Sequence, residues 1–344
     1  MDVPSDSSNL KPSSTDSTNK DTSLLIAQQD NNFPNTHPIK HITEEMKLTT
    51  VHSQSVMSLI LLKDKRIASG SIDGSISICS INIIEHKWTR NIHKANAHNN
   101  WVCTLCELTD TTLVSGGADC QAKIWKILPN ELQHIKTIST FTNIINSIIS
   151  LTKGRFASCS DDKTIQIWED TTYQHIITFN SDIDYYKSLV QLNGKDTLVA
   201  CGYTSYLSFW NIDTYVNVHN MKGYNVSRPS YMIALPNGNV ALCSKVDQET
   251  IIIINTSSYK EIKRIKVENY ITKPTTLCVV NEDSFMYVRD GNVVQVSNVD
   301  YSVISKVKGN RFDAWFGGVV LIEDGKYFVT TSRFDLTVMK IEYE

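Results

Sequence analysis

A short texture of about thirteen residues recurs along this chain, and its period limits the architectures open to it. FASCSDDKTIQIW (156–168) aligns with IASGSIDGSISIC (67–79) and LVSGGADCQAKIW (113–125). Weaker copies are LVACGYTSYLSFW (198–210), ALCSKVDQETIIII (241–254), SFMYVRDGNVVQV (284–296) and FVTTSRFDLTVMKI (328–341). Their turn positions fall at Asp73, Asp119, Asp162, Thr204, Asp247, Asp290 and Asp335, at intervals of 46, 43, 42, 43, 43 and 45 residues. A second register runs alongside: Tyr173, Tyr215, Tyr259 and Tyr301 each open another alternating segment, five residues after the strand ends at 168, 210, 254 and 296.

Each unit therefore holds four short strands, and one such sheet cannot bury both faces alone. Stacking seven sheets radially solves that problem and leaves only short edges. The pattern predicts an all-β chain: a seven-bladed β-propeller of four-stranded antiparallel sheets over residues 41–344. The last copy ends near Ile341 without an outer strand. Counting back from Asp73 places a strand at His41–Leu48, which is expected to pair beside the final sheet and close the ring. An unpaired edge there would leave a row of bare amides and carbonyls.

Residues 1–40 differ in kind. They are built from Ser, Thr, Asn, Asp and Lys with Pro at 4, 12, 34 and 38, so they read as a disordered polar tail. The net charge of −3 argues against bulk attraction to nucleic acid or membrane. The longest aliphatic run, Ile251–Ile254, is far short of a membrane span, and no cleavable leader pattern opens the chain. Cytoplasm or nucleus is the expected location. The eight cysteines are scattered. Cys103 and Cys106 form the one CxxC, but on a strand that offset points the sulfurs to opposite faces, so no metal or redox cofactor is expected.

The sequence resembles the WD-repeat β-propeller family over roughly residues 41–344. The second copy carries the likeness best, with Ala97-His98, Ser115-Gly116-Gly117-Ala118-Asp119 and Trp125. Only Trp125, Trp168 and Trp210 hold the Trp position, and none is followed by Asp. The resemblance implies that His98, Ser115, Asp119 and Trp125 form one hydrogen-bonded chain. Asp119 would accept from the imidazole, the imidazole from the Ser hydroxyl, and Ser from the indole. Asp162 is the corresponding turn residue of the third copy, where Phe141 stands for the His. Asp161, its neighbour, is expected to face the top surface and meet a partner.

Ser, His and Asp are also the residue types of a hydrolytic triad. A nucleophilic Ser needs an exposed, strained turn. Ser115 lies mid-strand, and Ser69 and Ser158 recur at the equivalent place, so the Ser belongs to the repeat and no enzyme is expected. Function in such a ring sits on loops held by the scaffold. Residues before each turn position and after each His position are expected on the top face: Trp101, Asp161, Tyr185, Tyr186, Tyr203, Arg228, Tyr231, Arg289, Trp315, Phe316, Arg333 and Phe334.

What the family resemblance implies is a non-enzymatic scaffold or adaptor that binds a protein or peptide in a multiprotein complex, with the propeller itself monomeric. Two alternatives remain. A ubiquitin-ligase substrate receptor is disfavoured by the lack of Arg after Trp125, Trp168 and Trp210 and of a helical F-box-like pattern in residues 1–40. RNA or ribonucleoprotein association would rest on Lys260, Lys263, Arg264 and Lys266 with Lys306 and Lys308.

Overall fold

The computed structural model describes residues 37–344 except 110, 182–184, 228, 245–249, 268–275, 290, 309–313 and 333. The expected disordered tail lies outside these residues apart from its last four, and so do Asp247 and Asp290. Seven four-stranded antiparallel sheets form, with no helix among the described residues.

Strand β1 (Ile39–Leu48) comes first and stands apart from its sequence neighbours. The first sheet holds β2 (Val56–Leu61), β3 (Ile67–Ser71), β4 (Ile76–Asn82) and β5 (Lys87–Lys94). The second holds β6 (Val102–Glu107), β7 (Thr112–Gly117), β8 (Ala122–Ile127) and β9 (Leu132–Ile138). The third holds β10 (Ile145–Leu151), β11 (Arg155–Ser160), β12 (Thr164–Glu169) and β13 (His175–Asn180). The fourth holds β14 (Tyr186–Gln191), β15 (Thr197–Gly202), β16 (Thr204–Asn211) and β17 (Val216–Ser227). The fifth holds β18 (Pro229–Ala234), β19 (Val240–Ser244), β20 (Thr250–Asn255) and β21 (Lys260–Lys266). The sixth holds β22 (Thr276–Val279), β23 (Ser284–Arg289), β24 (Asn292–Ser297) and β25 (Val303–Lys308).

The last sheet runs β1-β28-β27-β26, from β26 (Ala314–Ile322), β27 (Tyr327–Ser332) and β28 (Asp335–Tyr343). The first strands of successive sheets contact one another around the whole circle, with β26 against β2. The ring is therefore closed, and β1 is the outer strand of the seventh blade. It begins at Ile39, two residues before the expected start, and Ile39 pairs with Tyr343 while Leu48 pairs with Leu336.

Burial follows from where each strand sits. The second and third strands of each blade are covered on both faces, so β3, β7, β11 and β23 are buried at every position. Small residues dominate the first three of these because neighbouring sheets approach closely. A Cβ on Gly70 would lie 2.5 Å from the Val102 side chain, and one on Gly116 would lie 2.7 Å from that of Ile145. The apolar clusters bridge consecutive blades, as where Phe156 and Trp168 of the third meet Ile124 and Ile138 of the second.

The tyrosine register has a specific cause. Tyr173, Tyr215, Tyr259 and Tyr301 do not open the outer strands; each sits in the preceding turn with φ between 53° and 58°. That left-handed conformation is costly for a non-glycine residue. In three of the four, Asn or Ser four residues earlier caps the turn: Asn211 Oδ1 accepts the Asp213 and Thr214 N–H groups, and Asn255 Oδ1 those of Ser257 and Ser258. The rings then pack inward, Tyr259 onto His219 at 4.1 Å, while Tyr301 takes hydrogen bonds from Asn237 and Asn239 of the preceding blade.

Candidate functional site

In each of the first four blades the second-to-third-strand turn and the entry loop meet at the same end of the ring. Backbone bonds join the two: Ile72 N–H donates to Ser55, Ala118 to Trp101, Asp161 to Ile144 and Tyr203 to Tyr185, each through the carbonyl. A second set crosses between blades, with His98 N–H donating to the Gly74 carbonyl and Ser181 to that of Lys163. Over the first four blades the top face is thus a hydrogen-bonded set of loops and turns, a rigid platform for side chains.

The second blade holds its loops by a side-chain chain. His98 Nδ1 lies 2.8 Å from Asp119 Oδ1, and Nε2 lies 2.6 Å from Ser115 Oγ. Trp125 Nε1–H donates to Ser115 Oγ at 2.8 Å. Asp119 also accepts the N–H groups of Asn99 and Gln121, tying loop to turn. A Cβ on Gly117 would lie 2.5 Å from His98 Nδ1 and 2.6 Å from Asp119 Oδ1, so this glycine makes room for the bond.

The first blade repeats the arrangement with a difference. His52 Nε2 lies 2.8 Å from Ser69 Oγ, but Asp73 is 3.7 Å from Nδ1, and the Ser75 hydroxyl bridges them. Ser71 stands at the Gly117 position, and its Cβ explains why ring and carboxylate stand apart. This network was missed from sequence, although His52, Ser69 and Asp73 have the spacing of His98, Ser115 and Asp119. In the third blade Trp168 Nε1–H donates to Ser158 Oγ at 3.2 Å, and Asp162 accepts from the backbone of Thr142 and Thr164.

Both network carboxylates are held below the usual carboxylate range. Burial works to raise the Asp119 carboxyl, but the hydrogen bond and attraction of His98 and the N–H groups of Asn99 and Gln121 outweigh it. Asp73 is depressed in the same way by His52, Ser75 and Ser53. A carboxyl depressed in the folded chain binds fewer protons than its unfolded counterpart near about 3.9. Its stabilisation is complete above that value and is lost as pH falls through the lowered folded value. The difference in melting temperature between wild type and Asp119→Asn is therefore expected to shrink as pH falls from about 5 to about 2. Thermal melts across that range check it; a constant difference contradicts the linkage.

The inner strands shape the mouth of the channel. Pairing shifts by one residue at the start of β2, β6, β10 and β14, leaving Met57, Cys103, Asn146 and Lys187 in bulges. Bulges re-aim side chains. Two of these residues converge on Asp161: Lys187 Nζ forms an ion pair with its carboxylate, and Asn146 Nδ2 donates to it at 2.7 Å. Asp161 was expected to be available to a partner. Instead it is consumed in a link between the third and fourth blades, because the bulges bring two donors to it. Beside it, Tyr185 and Tyr203 meet edge to face at 6.3 Å, with Lys163 Nζ 5.5 Å from the first ring and Lys187 Nζ 5.7 Å from the second.

The other expected top-face residues divide. Trp101, Tyr185 and Phe334 are 42%, 44% and 39% exposed. Tyr186 is fully buried in the core of the fourth blade, its hydroxyl 3.5 Å from Ser208 Oγ, so it packs rather than binds. Arg289 is 3% exposed at the end of β23 and offers no accessible surface. Tyr231 is half-buried, a Cβ on Gly318 would lie 2.3 Å from its hydroxyl, and burial pushes its phenol up. Arg228 and Arg333 lie outside the described residues, as do the side chains of Trp315 and Phe316 on β26.

All eight cysteines are free thiols, and among the described residues no His, Cys, Asp and Glu group is placed to hold a metal ion. Cys106 is buried in an apolar cluster while Cys103 sits in the bulge of β6; burial pushes both thiols up to about 12. Lys260, Lys263 and Lys266 on β21 and Lys306 and Lys308 on β25 are exposed on the outer strands of neighbouring blades, and Arg264 pairs with Glu261.

The fold defines a propeller whose repeated side-chain network braces one face. Residues 89–126 and 132–169 match the WD40 model, described as WD domain, G-beta repeat. Two WD40 repeats therefore lie within the seven-bladed β-propeller. Each matched segment begins on an outer strand, β5 or β9, and runs through three strands of the next blade, so sequence repeat and blade are offset by one strand.

Among curated proteins the chain is similar to F-box/WD repeat-containing protein 4 of Homo sapiens, 24% identical over 220 residues, covering 62% of this chain and 49% of that protein. The Mus musculus protein of the same name is 27% identical over 171 residues, covering 47% of this chain and 40% of that protein. The chain thus spans less than half the length of these relatives. The solved structure of the RRP9 WD40 repeats superposes with a TM-score of 0.73 at 13% identity, covering 89% of this chain and 99% of that one, which shows the fold alone.

Proposed function

We propose that the chain is a non-enzymatic protein-interaction scaffold whose top face binds a protein or peptide partner. The observation that carries this reading is a segregation. Among the described residues, the three exposed aromatic side chains, Trp101, Tyr185 and Phe334, all stand at the top end, on loops and turns locked together by backbone bonds. Exposed Ile84 and Val299 mark the turns of the opposite end and are aliphatic. Aromatic side chains on a rigid platform suit recognition, since they bury large area with little ordering cost. Among the described residues the Ser-His-Asp arrangement resembling a triad is not accessible. The His98–Ser115 pair is sealed behind Trp125, with Ser115 buried and hydrogen-bonded to the indole.

The test is capture of partners on immobilised protein. Wild type and an Ile84→Ala/Val299→Ala variant are expected to retain a shared set that Trp101→Ala/Tyr185→Ala loses. Retention of that set by the top-face variant contradicts the assignment.

The ubiquitin-ligase substrate receptor is the second reading, favoured by the similarity to F-box/WD repeat-containing protein 4. Cullin-RING subunits among the captured proteins are the result that separates it from a general adaptor.

A further inference from the structure

The outer strands of adjacent blades face each other across grooves on the side of the ring, and the strand ladders fix which residues line each wall. Residues directly opposite on neighbouring strands share a face. In the fifth blade Lys263 lies opposite Ile253 and Lys260 opposite Asn255. Ile253 belongs to the apolar cluster shared with the sixth blade. Asn255 donates to Asn239, which in turn reaches Tyr301 of that blade. Both lysines therefore face the sixth blade. In the sixth, Lys306 lies opposite Val294, a member of the same cluster, and Lys308 opposite Asn292, further along the same face. These two face back toward the fifth.

A valine joins them. The bulge at Ile304 puts Val303 opposite Val296 of that cluster, and Val303 is 53% exposed. Four exposed lysines thus line the two walls of one groove, over an apolar floor that includes Ile265 and Val294. Tyr301, bonded to Asn237 and Asn239, ties the two blades together at its foot. Among the described residues Lys260, Lys263 and Lys308 form no ion pair.

The rest of the ring differs. Among the described residues the ladders place Lys or Arg on both walls of no other groove. Several of the single cations there are used within the fold: Lys136 donates to the Tyr173 carbonyl, Arg90 to that of Thr50, Lys47 pairs with Asp335 and Arg264 with Glu261. Lysine on an edge strand deters strand pairing, but that purpose does not require the rows of two blades to converge on one groove.

We propose that the groove between the fifth and sixth blades binds an acidic protein segment in which apolar side chains interrupt runs of Asp or Glu. The ammonium groups on both walls complement carboxylates, although the chain as a whole carries a net charge of −3. Val303 offers an apolar contact that a phosphate backbone does not use. A single-stranded nucleic acid calls for aromatic stacking platforms, and the exposed aromatic side chains stand at the top end instead. This site lies on the side of the ring and does not depend on the top-face reading.

Fluorescence anisotropy of the full chain with a fluorescein-labelled peptide of repeating Glu-Glu-Leu tests it. Wild type is expected to bind, more weakly as salt rises. Lys263→Glu/Lys308→Glu is expected to lose about tenfold or more in affinity, because two attractions become repulsions. Lys65→Glu/Lys87→Glu makes the same change of net charge at exposed positions elsewhere and is expected to bind as wild type, as is Trp101→Ala/Tyr185→Ala. Val303→Ser is expected to weaken the Glu-Glu-Leu peptide but not one of repeating Glu-Glu-Ser. Thermal melts verify folding, and Lys263→Gln/Lys308→Gln is the second variant should the charge reversal misfold. Wild type that fails to bind the peptide at low salt, or equal losses in the two charge-reversed variants, overturns the proposal. So does labelled oligouridylate that binds through Lys263 and Lys308 in preference to the peptide.

Discussion

Removal of residues 1–48 is expected to unfold the ring, whereas removal of residues 1–36 is expected to leave the melting temperature unchanged. β1 buries Ile39 and Ile42 against the sixth and seventh blades, and Met46 and Leu48 against the first and seventh. At about 1.5–3 kcal/mol for each such side chain, the strand contributes roughly 6–12 kcal/mol as an upper estimate. That is comparable to the whole stability of a typical domain, about 5–15 kcal/mol. The polar contacts are equally specific to closure: Ile39 N–H donates to Gln295 Oε1 of the sixth blade, and Glu344 N–H donates to the Pro38 carbonyl. Without β1, the edge of β28 and the apolar faces of Leu336, Val338 and Ile341 would open to water, so the shorter chain is expected to aggregate. Circular-dichroism melts and gel filtration of the two truncations decide the matter. Equal melting temperatures would show that β1 contributes nothing to closure.

The closure was legible because it is a counting problem. Seven turn positions at near-constant intervals leave the final blade one strand short, and only the segment before Asp73 can supply it. The His98 network was legible through the family resemblance, and the His52 copy carried the same spacing. Contacts that depend on neighbouring blades were not. Asp161 meets Asn146 across 15 residues and Lys187 across 26, and neither gap belongs to the repeat. Tyr186 and Lys187 illustrate a second limit. One-residue alternation would place them on opposite faces, but the bulge at the start of β14 decides which faces the channel, and nothing in the local composition signals it. The tyrosine register marked a true boundary but one or two positions early, since each tyrosine sits in the left-handed turn before its strand.

The repeats also supply a natural series for the network itself. Ser115 is its hub. With His98 Nδ1–H donating to Asp119, Nε2 is left as an acceptor, so the Ser115 hydroxyl donates to it and accepts the Trp125 indole N–H. Ser115→Ala strands two buried groups at once, at about 1–3 kcal/mol each, for an expected loss of roughly 2–6 kcal/mol. In the third blade Ser158 accepts Trp168, but Phe141 replaces the histidine, so Ser158→Ala strands one group and is expected to cost about half as much. The fourth blade already has Ala200 at this position, and Trp210 turns to Ser208 on its own strand instead, at 2.9 Å. Trp125→Phe removes the donor together with its need for a partner, so it is expected to lose packing without leaving the indole unpaired. Chemical denaturation of the three variants orders them: Ser115→Ala well below Ser158→Ala in stability indicates that the histidine bond contributes. Equal losses would mean that the indole bond alone matters, and that the imidazole merely fills space between Asp119 and the strand.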